Sequence, residues 1–544
     1  MNTISDPLYY LRNFRIALAW LSERYADLLS ESEAAFIADF NCLPELSQAL
    51  LVRLIMRRGD CFRATKIVYP EIGSIEAAMA PLIERRWVDP APELTASELS
   101  RLLTRQELLP IAAQARRSIS KAQLIAELEL QSPERRTLQA WRGEPNECAY
   151  RILAALVCTR LRLLFFGSFH QDWSEFVITE LGLFKYEVVD LSLGARPFES
   201  REDIESFYQL HDAREILVSD AATLDALAAI PSGPIENEWL ARRRDKLLFR
   251  VGHQLEREGN LSAAEDTYQR CAYPESRVRL VRVLELQSKY SEALRAAEES
   301  LSSVAEPEQL RIRRMLSRLR SHVGGIRERR PRCSPPATNI TLPNEAASER
   351  VEERVRRHLE RAHAPVFYVE NALINSLFGL LCWDAIFAPV RGAFFHPFHS
   401  GPADLLSPEF ARRRKAEFAC CFERLTNGTY LDAIRRTRAT KHGIRSPFVA
   451  WQLLTDELLS LALACIPAQH LERCFEHIVE DIRANSTGLP DLIQFFPLER
   501  RYVMIEVKGP GDRLQDNQRR WIAHCHRSGI PITVAHATWP EAIA

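Results

Sequence analysis

The chain has 544 residues, 46% of them hydrophobic, enough apolar material for about three to five packed domains. Its 71 basic and 72 acidic residues leave a formal net charge of −1, so no global basic field draws it to nucleic acid, and any such surface has to be a local patch. The 12 cysteines form no CxxC pair and no framework spacing, which fits reduced thiols better than a disulfide scaffold or a zinc ribbon.

The opening MNTISDPLYYLRNF has no charged segment followed by an apolar run. No secretory signal is expected, and the chain is placed inside the cell, in the cytoplasm or nucleoid. Residues 1–90 are expected to form a helical or winged-helix-like domain, with Leu11, Phe14, Ile16, Leu18 and Leu21 at short helical spacings. After the break at Pro90 to Pro92, residues 91–148 predict a helix pair, one helix capped by Thr95 or Ser97 and the next opened by Ser120 beside Lys121. Arg116, Arg117 and Lys121 would serve a DNA backbone there, against the alternative of a solvated basic turn. Residues 149–235 read as a DNA-binding α/β segment: Ala149 to Phe166 is expected as one helix carrying Arg151, Arg160 and Arg162, followed by a β-like stretch from Val177 to Leu191.

Residues 236–323 turn to helix pairs such as NLSAAEDTYQRC and KYSEALRAAEESL, similar to tetratricopeptide units. Two irregular copies fall short of the three that a solenoid needs, so a plain bundle stays open. Residues 324–343, with RERRPR and CSPP, are a linker by composition. The last domain spans residues 344–544. Within it, Leu373 to Val390 is the most membrane-like segment, but Asn375, Ser376 and Asp384 interrupt it, and a buried core helix is expected instead of a span. Glu352 and Glu353 read as a solvated helix face, the HxxH of His396 and His399 as structural, and the basic run Arg435 to Arg445 as a DNA contact or a loop exposed to water.

The strongest signal lies near the C-terminus. Asp491 to Phe496 and Arg501 to Lys508 predict two strands joined by a turn at Pro497 to Arg500. A hairpin closing symmetrically on Leu498-Glu499 sets Asp491 opposite Glu506, with Cβ atoms about 4.5 to 5.5 Å apart. Alternation then puts Lys508 on the face of Glu506, and Val503, Ile505 and Val507 on the other, toward a core. Two facing carboxylates repel, and a hard divalent cation neutralises them. Mg²⁺ or Mn²⁺ there could hold a phosphate oxygen and a water, with Lys508 on the water or on developing charge. The bland alternative is a turn aspartate followed by a solvated strand pair.

GLPDL at Gly488 to Leu492 and EVKGPGDRLQDNQRRW at Glu506 to Trp521 resemble the VRR-NUC family of the PD-(D/E)xK nuclease superfamily. YYLRNFRIALAWL, LLVRLIMRR and VENALINSLFGLLCWDAIF upstream are similar to the Fanconi-associated nuclease family, in a form without its ubiquitin-binding zinc finger. The resemblance implies a multi-domain, mainly α chain. It ends in an α/β nuclease domain with a mixed central sheet and a helical insertion between Glu370 and Asp491, and residues 91–148 would be a SAP module. It implies a structure-selective DNA nuclease of interstrand crosslink repair that cuts 5′ flaps and trims from the 5′ end, using Mg²⁺ or Mn²⁺ held by Glu370, Asp491, Glu506 and Val507. Gln518, on a helix expected from Asp512 to Ser528, would orient water or phosphate. Arg483 would join a 5′-phosphate pocket, and Arg513, Lys121 and Arg160 would contact DNA. The expected partner is branched or flapped DNA with a 5′ end, bound by a monomer or dimer, with protein partners on the repeat helices and no membrane. A junction resolvase or restriction-like nuclease of the same superfamily and a non-catalytic DNA-binding scaffold remain as alternatives.

Overall fold

A computed structural model describes residues 6–112, 119–144, 147–176, 184–191, 196–219, 222–324, 337–342 and 349–539. The chain divides into two compact units, Met1–Lys185 and Tyr186–Ala544.

In the first unit, helices Tyr9–Arg24, Glu31–Asn41, Glu45–Ile55 and Ile75–Glu84 enclose Leu11, Phe14, Leu18 and Leu21. Ile16 falls between the turns of that stripe and stays 58% exposed. Strands Cys61–Arg63 (β1) and Val88–Asp89 (β2) flank a third strand that comes from 60 residues further on. The SAP-like segment lies between. It consists of a short pair, Glu93–Leu94 (β3) with Arg136–Thr137 (β4), and helices Ala96–Leu102, Arg105–Leu108 and Lys121–Gln131. Thr95 and Ser120 close capping boxes with Glu98 and Gln123, as their spacing predicts. Arg116 and Arg117 lie outside the described residues.

The expectation of one helix from Ala149 to Phe166 is corrected. Ala149–Ile152 is a strand (β5) between β1 and β2, with Cys61 opposite Arg151 and Val88 opposite Ile152, and the helix starts only at Ala155. These pairings bridge more than 60 residues of chain, and no local periodicity announces them. Of the expected β-like stretch, residues 184–191 are described and hold only one bridge residue.

In the second unit, helices from Arg201–Val218 to Glu306–His322 pack each on the next around Val251, Tyr268, Val281, Ala293 and Ile312. This helical array begins at Arg201, earlier than residue 236. A five-stranded sheet follows. Its strands are Ala337–Thr341 (β6), Val366–Tyr368 (β7), Leu492–Phe496 (β8), Arg501–Lys508 (β9) and Ile532–Thr538 (β10), in the order β6-β10-β9-β8-β7. β10 runs parallel to β6 and β9, while the β7-β8 and β8-β9 pairs are antiparallel, so the sheet is mixed. β6 is a correction, because its residues fall in the segment read as a linker. Between β7 and β8 the helical insertion builds a large core, in which the Phe378 ring contacts those of Phe418, Phe448 and Phe475 and which also buries Trp521. Leu373–Leu381 is wholly buried and ends at Cys382, and no helix among the described residues is long and apolar enough to cross a membrane.

Gly379 on that helix leaves no room for a side chain: a Cβ would stand 2.8 Å from Phe448 Cβ and 2.9 Å from Val449 Cγ2. Alanine gains about 0.5 to 1 kcal/mol of helix propensity, but overpacking a tight core costs about 1 to 3. Gly379→Ala should therefore lower the thermal midpoint in calorimetry. A rise would mean that the insertion yields easily at this contact.

Candidate active site

The β8-β9 hairpin closes through a 3₁₀ turn, Pro497–Glu499, with Arg500 in the left-handed region at φ 51°. Its register pairs Leu492 with Ile505 and Phe496 with Arg501, so Asp491, one residue before β8, stands level with Glu506. Asp491 is fixed twice. Its Oδ2 accepts from Val507 N at 2.8 Å, and its carbonyl accepts from Val369 N at 2.8 Å. Lys508 Nζ lies 2.8 Å from Glu506 Oε1. Ile505 and Val507 enter a core on the opposite face, with Val503 packed against it. The loop before Asp491 presses on the helix after β9, since a Cβ on Gly488 (φ +88°) would meet the Asn517 backbone at 2.7 Å.

Asp491 is 8% exposed and Glu506 1%. Burial pushes Asp491 up to about 6, against the hydrogen bond from Val507 and the charge of Lys508. Burial, then repulsion from Asp491, pushes Glu506 up to about 7, against the Lys508 ammonium. Two carboxylates beside one ammonium leave an excess of negative charge, and an all-oxygen donor pair of this kind fits a hard divalent cation. Val507 faces the core with its side chain, so only its backbone is open to such a role.

Glu370 is exposed, just before Leu373–Leu381, and its carboxylate accepts a hydrogen bond from Tyr368 Oη. Among the described residues no three of His, Cys, Asp or Glu already converge at metal-ligand distance. Two residues that the sequence reading passed over also face this site: Tyr368, and Glu352 in the first turn of Val351–Leu359, whose charge acts on both Asp491 and Tyr368. The nearness of that helix to the Gly509 turn was the missed signal; a Cβ on Gly509 would lie 3.6 Å from Val351 Cγ2.

Gln518 lies on the helix Asp516–Arg527, four residues shorter at its start than expected, and its Oε1 accepts from Gln515 N in a capping box. Its side chain thus closes its own helix. Arg513 is exposed just before that helix. Lys121 donates to Leu103 O at 3.0 Å, and Arg160 stands 4.0 Å from the buried Glu33. In the basic run, Arg438 and Lys441 are paired with Asp456 and Glu187. His396 and His399 are buried, their rings 4.1 Å apart, each accepting a backbone N–H.

Arg483 sits on the short helix Ile482–Asn485, 4.8 Å over the Tyr273 ring and 3.9 Å from Glu275. It lines a cavity of about 860 Å³ with Arg242, Arg243 and Lys246 from the repeat helices. Arg243 stacks on Phe207 and Trp239, and burial with the nearby Arg214 pushes it down to about 10. Burial and the charges of Arg250, Arg243, Arg483 and Arg214 push Lys246 down as well. The sequence reading missed these cations, which lie more than 230 residues from Arg483.

Three family models match the chain: FAN1, HTH domain over residues 8–89, the Fanconi anemia-associated nuclease SAP domain over 93–141, and the VRR-NUC domain over 425–539. A Fanconi-associated nuclease 1 homolog of Pseudomonas aeruginosa is 46% identical over 543 residues, covering 98% of this chain and 97% of that one. The chain belongs to the Fanconi-associated nuclease family. With its VRR-NUC domain it is a DNA nuclease, a phosphodiesterase that depends on a divalent metal. The human Fanconi-associated nuclease 1 is 23% identical over 97% of this chain, which spans 62% of the human protein's length. A crystal structure of paFAN1 bound to 5′ flap DNA with a 2-nucleotide flap and a gap superposes with a TM-score of 0.95 at 44% identity, covering 99% of this chain and all of that one.

The raised carboxylates give a signed pH dependence. Between the unfolded value of about 3.9 and the folded value of about 6, the native state holds a proton on Asp491 that the unfolded chain has released, so rising pH destabilises the fold. Asp491→Asn removes that cost and keeps an acceptor for Val507 N. In chelator-treated protein, its stability relative to wild type should increase from pH 4 to pH 8 by up to about 3 kcal/mol, read from denaturant midpoints. A difference that does not change with pH would show that Asp491 titrates normally.

Proposed function

We propose that the chain cuts DNA at 5′ flaps and degrades duplexes from the 5′ end, in interstrand crosslink repair, with Mg²⁺ or Mn²⁺ at Asp491, Glu506, Glu370 and the Val507 backbone. The observation that carries this is the buried Asp491–Glu506–Lys508 set in a family whose solved relatives bind 5′ flap DNA. When bound, the cation polarises the scissile phosphate and lowers the pKa of a water. Asp491 and Glu506 hold the position through rigid strands, and Asp491 is locked by the Val507 and Val369 amides. Lys508 leaves its ammonium beside Glu506, where it offsets charge growing on the phosphate. Gln518, Arg513, Lys121 and Arg160 remain proposed DNA contacts, each needing its present intramolecular partner, where it has one, to be exchanged for a phosphate.

A labelled panel of 5′ flap, 3′ flap, nicked, splayed and four-way junction DNAs, with Mg²⁺, Mn²⁺ or chelator, tests the reading. Wild type should cut the 5′ flap in either metal and nothing in chelator, and Asp491→Ala should bind the flap but leave it uncut. Cutting confined to four-way junctions would replace this reading with a junction resolvase.

The cavity under Arg483 supports recognition of a terminal 5′-phosphate. Neither Arg243 nor Lys246 has a carboxylate among the groups that shift it, so their mutual repulsion is relieved by an anion. A guanidinium also pairs a terminal phosphate through two donors. Arg483→Ala and Lys246→Ala should each weaken cleavage of 5′-phosphorylated flaps by about tenfold to a hundredfold relative to 5′-hydroxyl flaps, measured in competition. Equal losses on both substrates would reduce these residues to backbone contacts.

A further inference from the structure

Tyr368 ends β7 opposite Leu492, and the next amide, Val369 N, donates to the Asp491 carbonyl at 2.8 Å. Its position is thus fixed to the backbone of the catalytic hairpin. Tyr368 and Glu370 are two residues apart where the chain leaves the strand and enters a turn, and the Tyr368 hydroxyl donates to the Glu370 carboxylate. Tyr368 is also faced by Glu352 from the Val351–Leu359 helix and by Asp491, and burial with these three carboxylates holds its phenol well above its ordinary value. Glu370 itself is exposed, in a turn, and the hydroxyl of Tyr368 is the side-chain partner recorded for it. A carboxylate on a turn has rotamer freedom that a metal ligand has to give up on binding.

We propose that Tyr368 is a positioning residue of the active site: its hydroxyl holds the Glu370 carboxylate in the orientation from which it closes on the cation beside Asp491 and Glu506. The proposal rests on the reading of Glu370 as a metal ligand. Groups that bond a ligand from behind set its direction, and losing one costs about tenfold to a hundredfold in metal affinity. Tyr368 also packs partly against the core of Ile340, Val366, Leu492 and Ile505, and phenylalanine keeps that packing while removing the hydroxyl.

The test is a double-mutant cycle on the full chain without DNA, reading Mn²⁺ affinity by calorimetric titration for wild type, Tyr368→Phe, Glu370→Gln and the double variant. Tyr368→Phe should weaken Mn²⁺ by about tenfold or more with an unchanged thermal midpoint. In the Glu370→Gln chain the same substitution should cost nothing further. Wild-type affinity in Tyr368→Phe, or an equal loss in both backgrounds, would overturn positioning through Glu370 while leaving Glu370 a ligand if its own substitution weakens binding. Wild-type Mn²⁺ affinity in Glu370→Gln would instead remove Glu370 from the ligand set, and this proposal with it.

Discussion

The repulsion between Asp491 and Glu506, forced together in a nearly dry part of the sheet, is the constraint around which the nuclease domain is arranged. Like charges opposite each other in a strand pair destabilise it, and here burial adds to the cost. The fold tolerates the pair because both faces of the hairpin are anchored. Tyr502 and Met504 enter the large core of the insertion, and Ile505 and Val507 enter the smaller one beneath Val355. A register slip of one residue would exchange these sets and drive Glu506 into hydrocarbon, so the strands cannot slide apart to relieve the repulsion. What remains available is the ammonium of Lys508 and, in the working enzyme, a cation.

Charge is distributed in the same spirit. The near-neutral chain sets Asp491 and Glu506 together on the sheet and gathers Arg242, Arg243, Lys246 and Arg483 about a cavity that the repeat helices and the Arg483 helix line together. Arg243 is held there by stacking on Phe207 and Trp239, and Lys246 stands exposed at the same cavity. The repeat helices are joined to the nuclease domain by a second device, the two-pronged pairing of Arg314 with Asp516 at 2.6 and 2.8 Å. Being exposed, this pair contributes little stability, about 0 to 1 kcal/mol, and its geometry matters more than its energy.

The hairpin was legible because two local rules agreed: period-two alternation fixed the faces, and the turn at Pro497 to Arg500 fixed the register. Together they put Asp491, Glu506 and Lys508 where the structure has them. The elements that escaped were set by distant chain. β5 is read as helix by its apolar neighbours until β1 and β2 supply its hydrogen bonds, and β6 sits in a stretch whose prolines and arginines look like linker until β10 pairs with it. Arg243 and Lys246 are ordinary helix residues in sequence, and only tertiary packing places them by Arg483. Gln518 did carry a readable signal, since Gln515-x-x-Gln518 has the spacing of a capping box, and the cap took precedence over the expected view of the site.

These placements bring Arg483, proposed to grip phosphate, and the carboxylates proposed to hold the metal under one connection. Arg483 is followed by Ala484 and Asn485, whose carbonyls accept from Arg520 Nη2 at 2.7 Å and Trp521 Nε1 at 3.0 Å, both on the helix that follows β9. Asn375, on the helix after Glu370, donates to Ser486 O at 2.8 Å. Leu489, two residues before Asp491, donates its amide to Asn371, the residue after Glu370, at 3.0 Å. The segments that carry Glu370, Arg483 and Asp491 are therefore tied through buried or half-buried bonds between side chains and main chain. Catalysis by positioning loses about 10² for a misplacement of about 1 Å. A network of side-chain-to-main-chain bonds between the two ends is the arrangement that keeps such errors small when one of them is pulled.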